Sequence, residues 1–185
     1  MNIIWNPQEI ERQSMLIIES YLQGYDFTPI EKAVVKRVIH TTGDPEIIGH
    51  IKFHPDAIQA GLEAMQRGEN IYTDVNMLKA GINRKKLRSY GGEIFCSIAE
   101  PEIGAAAQDW QITRAAASMR LLAQRLDGAV VAIGNAPTAL FEVMDMIEKG
   151  IARPALIIGT PVGFVGAAES KELMVAKNLV PYITV

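Results

Sequence analysis

Apolar positions in the first third of the chain recur at helical spacing, and helix start and stop signals separate them. Asn6, Pro7 and Glu9 supply an N-cap, a first-turn proline and a capping-box acid. Ile10, Ser14, Ile17/Ile18 and Tyr21 follow at helical spacing, with Gly24 beyond. The same device recurs at Thr28-Pro29-Ile30-Glu31, and Ile30, Val34 and Val38 form one apolar stripe. Gly43 and Asp44-Pro45 end this second helix, because a residue before proline avoids the helical region. A third helix is predicted from Pro55 to Gly68, with Ile58, Leu62 and Met65 turned inward.

Beyond residue 68 short strand-like runs alternate with helical ones. The pattern predicts strands at Asn70–Thr73, Glu93–Ser97, Ala129–Ile133, Ala155–Gly159 and Tyr182–Val185. Helices are predicted at Met77–Ala80, Ile103–Leu126, Pro137–Lys149 and Ala167–Lys177. The runs Ala-Val-Val-Ala-Ile and Ala-Leu-Ile-Ile-Gly are apolar at nearly every position, as in parallel strands buried on both faces. The expected class is therefore α/β: a doubly wound, mostly parallel five-stranded sheet with extra N-terminal helices. A flavodoxin-like strand order is expected by analogy. One domain spanning residues 1–185 is expected, since domains commonly hold ~100–200 residues. A helix ordinarily covers the last strand, so such a segment is expected beyond Val185.

Composition narrows the class. A net charge of −3 and a pI of about 5.7 argue against a nucleic-acid binder, whose footprint is a strongly basic face. The single cysteine, Cys96, excludes an intrachain disulfide. The N-terminal residues lack the regions of a signal peptide, and no apolar run reaches the ~18 residues of a membrane span, so a cytoplasmic protein is expected.

In an open parallel sheet, ligands bind beyond the carboxyl ends of the strands. Those ends lead to Asp74 and Asn76, to Ile98–Glu102, to Gly134-Asn135-Ala136-Pro137-Thr138, and to Thr160–Ser170. The last two loops enter helix N-termini, where backbone N–H groups and the helix dipole favour an anion. Gly163 and Gly166 would allow close approach of a ligand to the backbone. Each loop alone reads equally as a tight turn; two on one edge favour a binding site. Neither is a phosphate loop, and Gly163-x-x-Gly166 lacks the opening Gly-x-Gly of a dinucleotide fingerprint.

The three histidines are His40, His50 and His54, and Pro55 separates the latter two from a shared element, which speaks against a zinc site. His40 ends the second helix, three residues after Arg37. The helix carbonyl end favours imidazolium, Arg37 opposes it, and a bound polyanion would reverse that balance. Such an imidazole suits a proton donor switched on by an acidic substrate; equally, it can be a capping or core histidine. Lys79, Arg84, Lys85, Lys86 and Arg88 form a basic cluster that is either a solvated surface or an attractor of carboxylates. Arg114, beside Ala115-Ala116-Ala117, is either a surface charge or an anion clamp.

The segments Arg37–Asp44 (RVIHTTGD), Asp74–Met77 (DVNM), Thr113–Ala117 (TRAAA), Ala132–Glu142 (AIGNAPTALFE) and Pro154–Lys171 (PALIIGTPVGFVGAAESK) resemble precorrin-8X methylmutases over nearly the whole chain. The resemblance implies a flavodoxin-like homodimer with sites near the subunit interface. It implies an isomerase of cobalamin biosynthesis that moves a methyl group from C-11 to C-12 of an anionic tetrapyrrole, precorrin-8x or cobalt-precorrin-8, giving hydrogenobyrinate or cobyrinate. No separate cofactor or protein-bound metal is implied; any cobalt arrives inside the substrate. The histidine matching His40 would donate and accept the proton. Ser14 and Arg37 match substrate-contacting positions. Thr41, Asp74, Arg114, Asn135, Ala136, Thr138 and Gly163 are the further substrate-binding candidates. Relatives continue past Val185 through a glycine-rich turn into a final helix, and Thr73 stands where a cysteine is common. A non-catalytic tetrapyrrole or polyanion binder would share every anion-binding feature without needing a proton donor.

Overall fold

A computed structural model describes residues 3–185. The chain divides into two compact units, one reaching to Ile51 and the other spanning Lys52–Val185.

The first unit is helical. Helix α1 (Pro7–Tyr21) starts where Asn6 accepts a hydrogen bond from the Glu9 amide, and α2 (Pro29–Thr42) starts at a complete Thr28/Glu31 capping box. Gly43, at φ 69°, ends α2, and a 3₁₀ turn at Pro45–His50 follows. The inward face of α2 is Val35 and Ile39, one residue on from the predicted Ile30, Val34 and Val38 stripe; Ile30 is 53% exposed. On α1, Ile18 is buried while Ile10, Ile17 and Tyr21 stay exposed.

The second unit is built on a six-stranded sheet in the order β1-β6-β5-β4-β2-β3. The strands are β1 (Lys52–Phe53), β2 (Ile71–Thr73), β3 (Ile94–Phe95), β4 (Val130–Ile133), β5 (Leu156–Gly159) and β6 (Tyr182–Thr184). All neighbours pair in parallel except β1, which runs antiparallel to β6. Six strands therefore replace the predicted five. The extra one is two residues long, too short to leave a periodic signal.

The helices of this unit are α3 (Ala57–Gln66), α4 (Asn76–Gly81), α5 (Arg84–Arg88), α6 (Pro101–Asp109), α7 (Arg114–Leu121), α8 (Pro137–Glu148) and α9 (Ala167–Lys177). Alternate side chains of a strand face opposite ways. In β4, Val130 packs with Ala57 and Ala64 of α3, while Val131 and Ile133 pack with Met119, Leu140 and Val143 of α7 and α8. The centre of the sheet is thus covered on both faces.

Two predictions for this unit fail for identifiable reasons. The single helix predicted over Ile103–Leu126 is two helices. Gln111 adopts φ 54°, and the Thr113 hydroxyl caps α7 by accepting from the Ala116 amide. Helix α3 buries Ala57, Gly61 and Ala64, whereas Leu62 is 38% exposed and Ile58 and Met65 are only half-buried. Small residues win this face because α3 lies close on β5: a Cβ on Gly61 would stand 2.9 Å from Leu156 Cδ2.

Candidate active site

Strand order reverses at β2. From there the chain runs outward to β3 on one side, then returns to β4 and proceeds through β5 to β6 on the other. The loops after β2 and β4 thus flank a switch point, where open α/β sheets hold ligands. Here the two loops are joined. Asp74 follows β2, is wholly buried, and its carboxylate accepts three backbone amides: Gly134 at 3.0 Å, Asn135 at 2.9 Å and Ala136 at 2.7 Å. Leu78 of α4 packs over Gly134, whose Cβ would meet Leu78 Cδ2 at 3.0 Å.

Two of the amides that lead into α8 are therefore not available to a ligand. The amides of Asn135 and Ala136 are committed to Asp74, and Pro137 has none. The Asn135 and Thr138 side chains, both exposed, are what this loop presents outward.

The loop after β5 adjoins the same place. Gly166, at φ 80°, is the N-cap of α9, and a Cβ there would meet Pro137 Cβ at 3.4 Å and Phe141 Cε2 at 3.3 Å. Glycine at this point lets the start of α9 settle against the start of α8. Among the described residues no side chain caps α9. Gly163 adopts φ 130° at the loop tip, and Val162, Phe164 and Val165 around it are exposed, Phe164 completely.

Thr138 also meets a residue that the sequence did not single out. Its hydroxyl lies 2.7 Å from that of Thr113, tying the first turn of α8 to the cap of α7. Both line an open groove of about 620 Å³ between these helices. Glu142 crosses it to take two 2.7 Å hydrogen bonds from Arg120, whose guanidinium lies 5.1 Å from the Trp110 ring. Threonine as a preferred N-cap residue was the available signal for Thr113. Arg114 begins α7, exposed, with its guanidinium over Gly104.

The basic cluster is partly neutralised. Arg88 and Arg84 both bind Glu93, at 2.7 and 3.4 Å, and Lys86 stands over Tyr90. Among the described residues no group of three His, Cys, Asp or Glu side chains comes together as a metal site. No helix among them is long and apolar enough to cross a membrane.

In the first unit, His40 lies in the last turn of α2 and is exposed; among the described residues no group hydrogen-bonds its imidazole. Arg37, one turn earlier, pairs with Glu11 of α1 at 2.5 Å. Both partners are well exposed, so the pair contributes under about 1 kcal/mol and exchanges readily for a ligand carboxylate. The hydroxyls of Ser14 and Thr41 donate to the carbonyls of Ile10 and Arg37 in their own helices.

The fold defines an α/β protein with a six-stranded, mostly parallel sheet. Comparison with known proteins makes this specific. The family model for precorrin-8X methylmutase matches residues 9–185. The cobalt-precorrin-8 methylmutase of Priestia megaterium is 45% identical over 178 residues, covering 96% of this chain and 79% of that protein. The precorrin-8X methylmutase of Pseudomonas aeruginosa is 40% identical, covering 100% and 89%. The solved structure of a precorrin-8x methyl mutase from Thermus thermophilus superposes with a TM-score of 0.86 at 38% identity, covering 96% of this chain and 85% of that one. The chain belongs to the precorrin-8X methylmutase family, isomerases of cobalamin biosynthesis that move a methyl group within their substrate.

Proposed function

We propose that this protein shifts a methyl group from C-11 to C-12 of precorrin-8x or cobalt-precorrin-8, giving hydrogenobyrinate or cobyrinate, with His40 as proton donor and acceptor. The observation that carries this reading is the His40 imidazole, exposed at the end of α2 with Arg37 and Thr41 beside it. An intramolecular shift needs no external nucleophile. Protonating the conjugated ring eases migration of the methyl group, and an accessible imidazole can act as the general acid and base. Holding the large ring in place supplies the rest of the acceleration.

The substrate is acidic, and the candidate contacts suit it. Arg37 and Arg114 can take carboxylates in bidentate fashion. The α9 start at Gly163–Gly166 offers backbone donors and a helix dipole. Asn135 and Thr138 contribute exposed polar side chains, and Ser14 and Thr41 hydroxyls. Ala136 acts through its place in the loop, since its amide serves Asp74. The reaction requires no cofactor, and any cobalt is part of the substrate.

We also read the five parallel strands, ordered β3-β2-β4-β5-β6, as the flavodoxin-like arrangement, and the working form as a cytoplasmic homodimer. The exposed stripe Ile10, Ile17 and Tyr21 on α1, with Ser14 among them, is the support for a second copy.

The test is incubation with precorrin-8x and with cobalt-precorrin-8 while following the absorption spectrum as conjugation changes. Turnover of either substrate is expected, and no change with both defeats the reading. His40→Ala should keep substrate affinity and lower kcat by about 10²–10⁴. Unaltered turnover in that variant would remove the histidine from the chemistry.

A further inference from the structure

The Asp74 carboxylate is wholly buried, and no ion pair among the described residues includes it. Its partners are three consecutive backbone amides at the entrance to α8, two on Oδ2 and one on Oδ1. Backbone amides converging on one point just ahead of a helix make an anion site, and here the chain fills it with its own anion. The negative charge is balanced by oriented amides and the dipole of α8. The next residue, Pro137, has no N–H to offer. An external carboxylate could bind there only by displacing a group fixed in the interior. The start of α9, set against the start of α8 through Gly166, has an exposed first-turn acid, Glu169, and among the described residues no side chain caps it.

Resting on the methylmutase reading, we propose that Asp74 is a positioning residue: a built-in anion that fixes the β4–α8 loop so that Asn135 and Thr138 face outward, and that keeps the three loop amides from the acidic arms of the substrate. It does not meet the reacting atoms. Asparagine is the informative replacement because it keeps the shape. Its carbonyl oxygen can serve the Asn135 and Ala136 amides, but its NH₂ then faces the Gly134 N–H, donor against donor. Alanine empties the site altogether.

The test uses the whole chain with precorrin-8x as substrate and formate as the anion probe. Folded Asp74→Asn should raise KM about tenfold, the worth of one charge-assisted hydrogen bond lost from the loop. Its kcat should stay within about threefold of the parent, with an unmoved pH profile, because no reacting group is touched. Asp74→Ala should gain saturable thermal stabilisation by formate and recover KM in its presence, while the parent should not respond. Recovery of a poorly folded Asp74→Ala by formate counts equally for the proposal.

Three results would overturn it: parental KM in folded Asp74→Asn, a lowered kcat with a displaced pH profile, or no response of Asp74→Ala to formate. If the parent turns over neither corrin substrate, the methylmutase reading fails. The formate response of Asp74→Ala would still decide whether the helix end is an anion site.

Discussion

Charged residues on this molecule act mainly through their nearest neighbours. Glu9 shows this at the start of α1, where its carboxylate takes hydrogen bonds from Arg12 at 2.6 and 2.8 Å and from Gln13 at 2.8 Å. The Arg12 hydrogen bonds, then that of Gln13, lower its pKa from 4.5 to about 2. The folded carboxyl is the stronger acid, so this pair favours the folded state above pH 4.5, and that contribution fades as pH falls through about 2. Carboxyl-resolved NMR titration should place the Glu9 midpoint near 2, and Arg12→Ala should return it toward 4.5. A midpoint unmoved by that substitution would assign the effect to the helix terminus instead. Arg37 reaches across to the other helix: its bond to Glu11 is exposed and exchangeable, which is compatible with the substrate contact proposed for it.

At the scale of elements, several contacts are backbone against backbone. The turns entering β2 and β3 lie on one another. A Cβ on Gly68, itself at φ 75°, would stand 2.8 Å from the Tyr90 carbonyl oxygen, and one on Gly92 would overlap the Glu69 carbonyl oxygen. Neither oxygen can swing aside as a side-chain end can. Gly92→Ala should therefore destabilise the fold by about 1–3 kcal/mol, read from chemical denaturation. Unchanged stability would mean that the turn has room to shift. Here the residue pattern conveyed less than it did for the helices. Caps at Asn6, Thr28 and Gly43 are local, and they stand where they were expected. Helix α9 matches its predicted bounds of Ala167–Lys177. The break between α6 and α7 was hidden because Gln111 is not a residue that announces positive φ. The inward face of α3 was hidden because small side chains carry little hydropathy signal, and the close approach of β5 decided it.

For the whole molecule, the question is what covers the apolar surface that the chain leaves open. Leu16 and Ile17 on α1 are 58% and 59% exposed. With Ile10 and Tyr21, Ile17 lies at helical spacing on one exposed apolar face, and a second copy is what we propose covers it. Sedimentation should give the mass of two copies, and Ile17→Glu should shift the distribution toward one. A parent that sediments as a single copy at all concentrations would contradict the homodimer.

The amino-acid order by itself determined what is local or periodic: the N-terminal helices, the five parallel strands, the helices α8 and α9 between the later ones, and the long family segments containing His40, Asn135 and Gly163. Short-range capping and hydrophobic alternation act between residues close in sequence, so a linear pattern can hold them. Only the tertiary structure decided the strand order, the antiparallel edge strand β1, the Thr113–Thr138 link, and the turning of Asp74 inward onto residues some sixty positions later. Those depend on which loops the folded sheet brings together, and a carboxylate read in sequence does not say whether its anion site lies in a ligand or in its own chain.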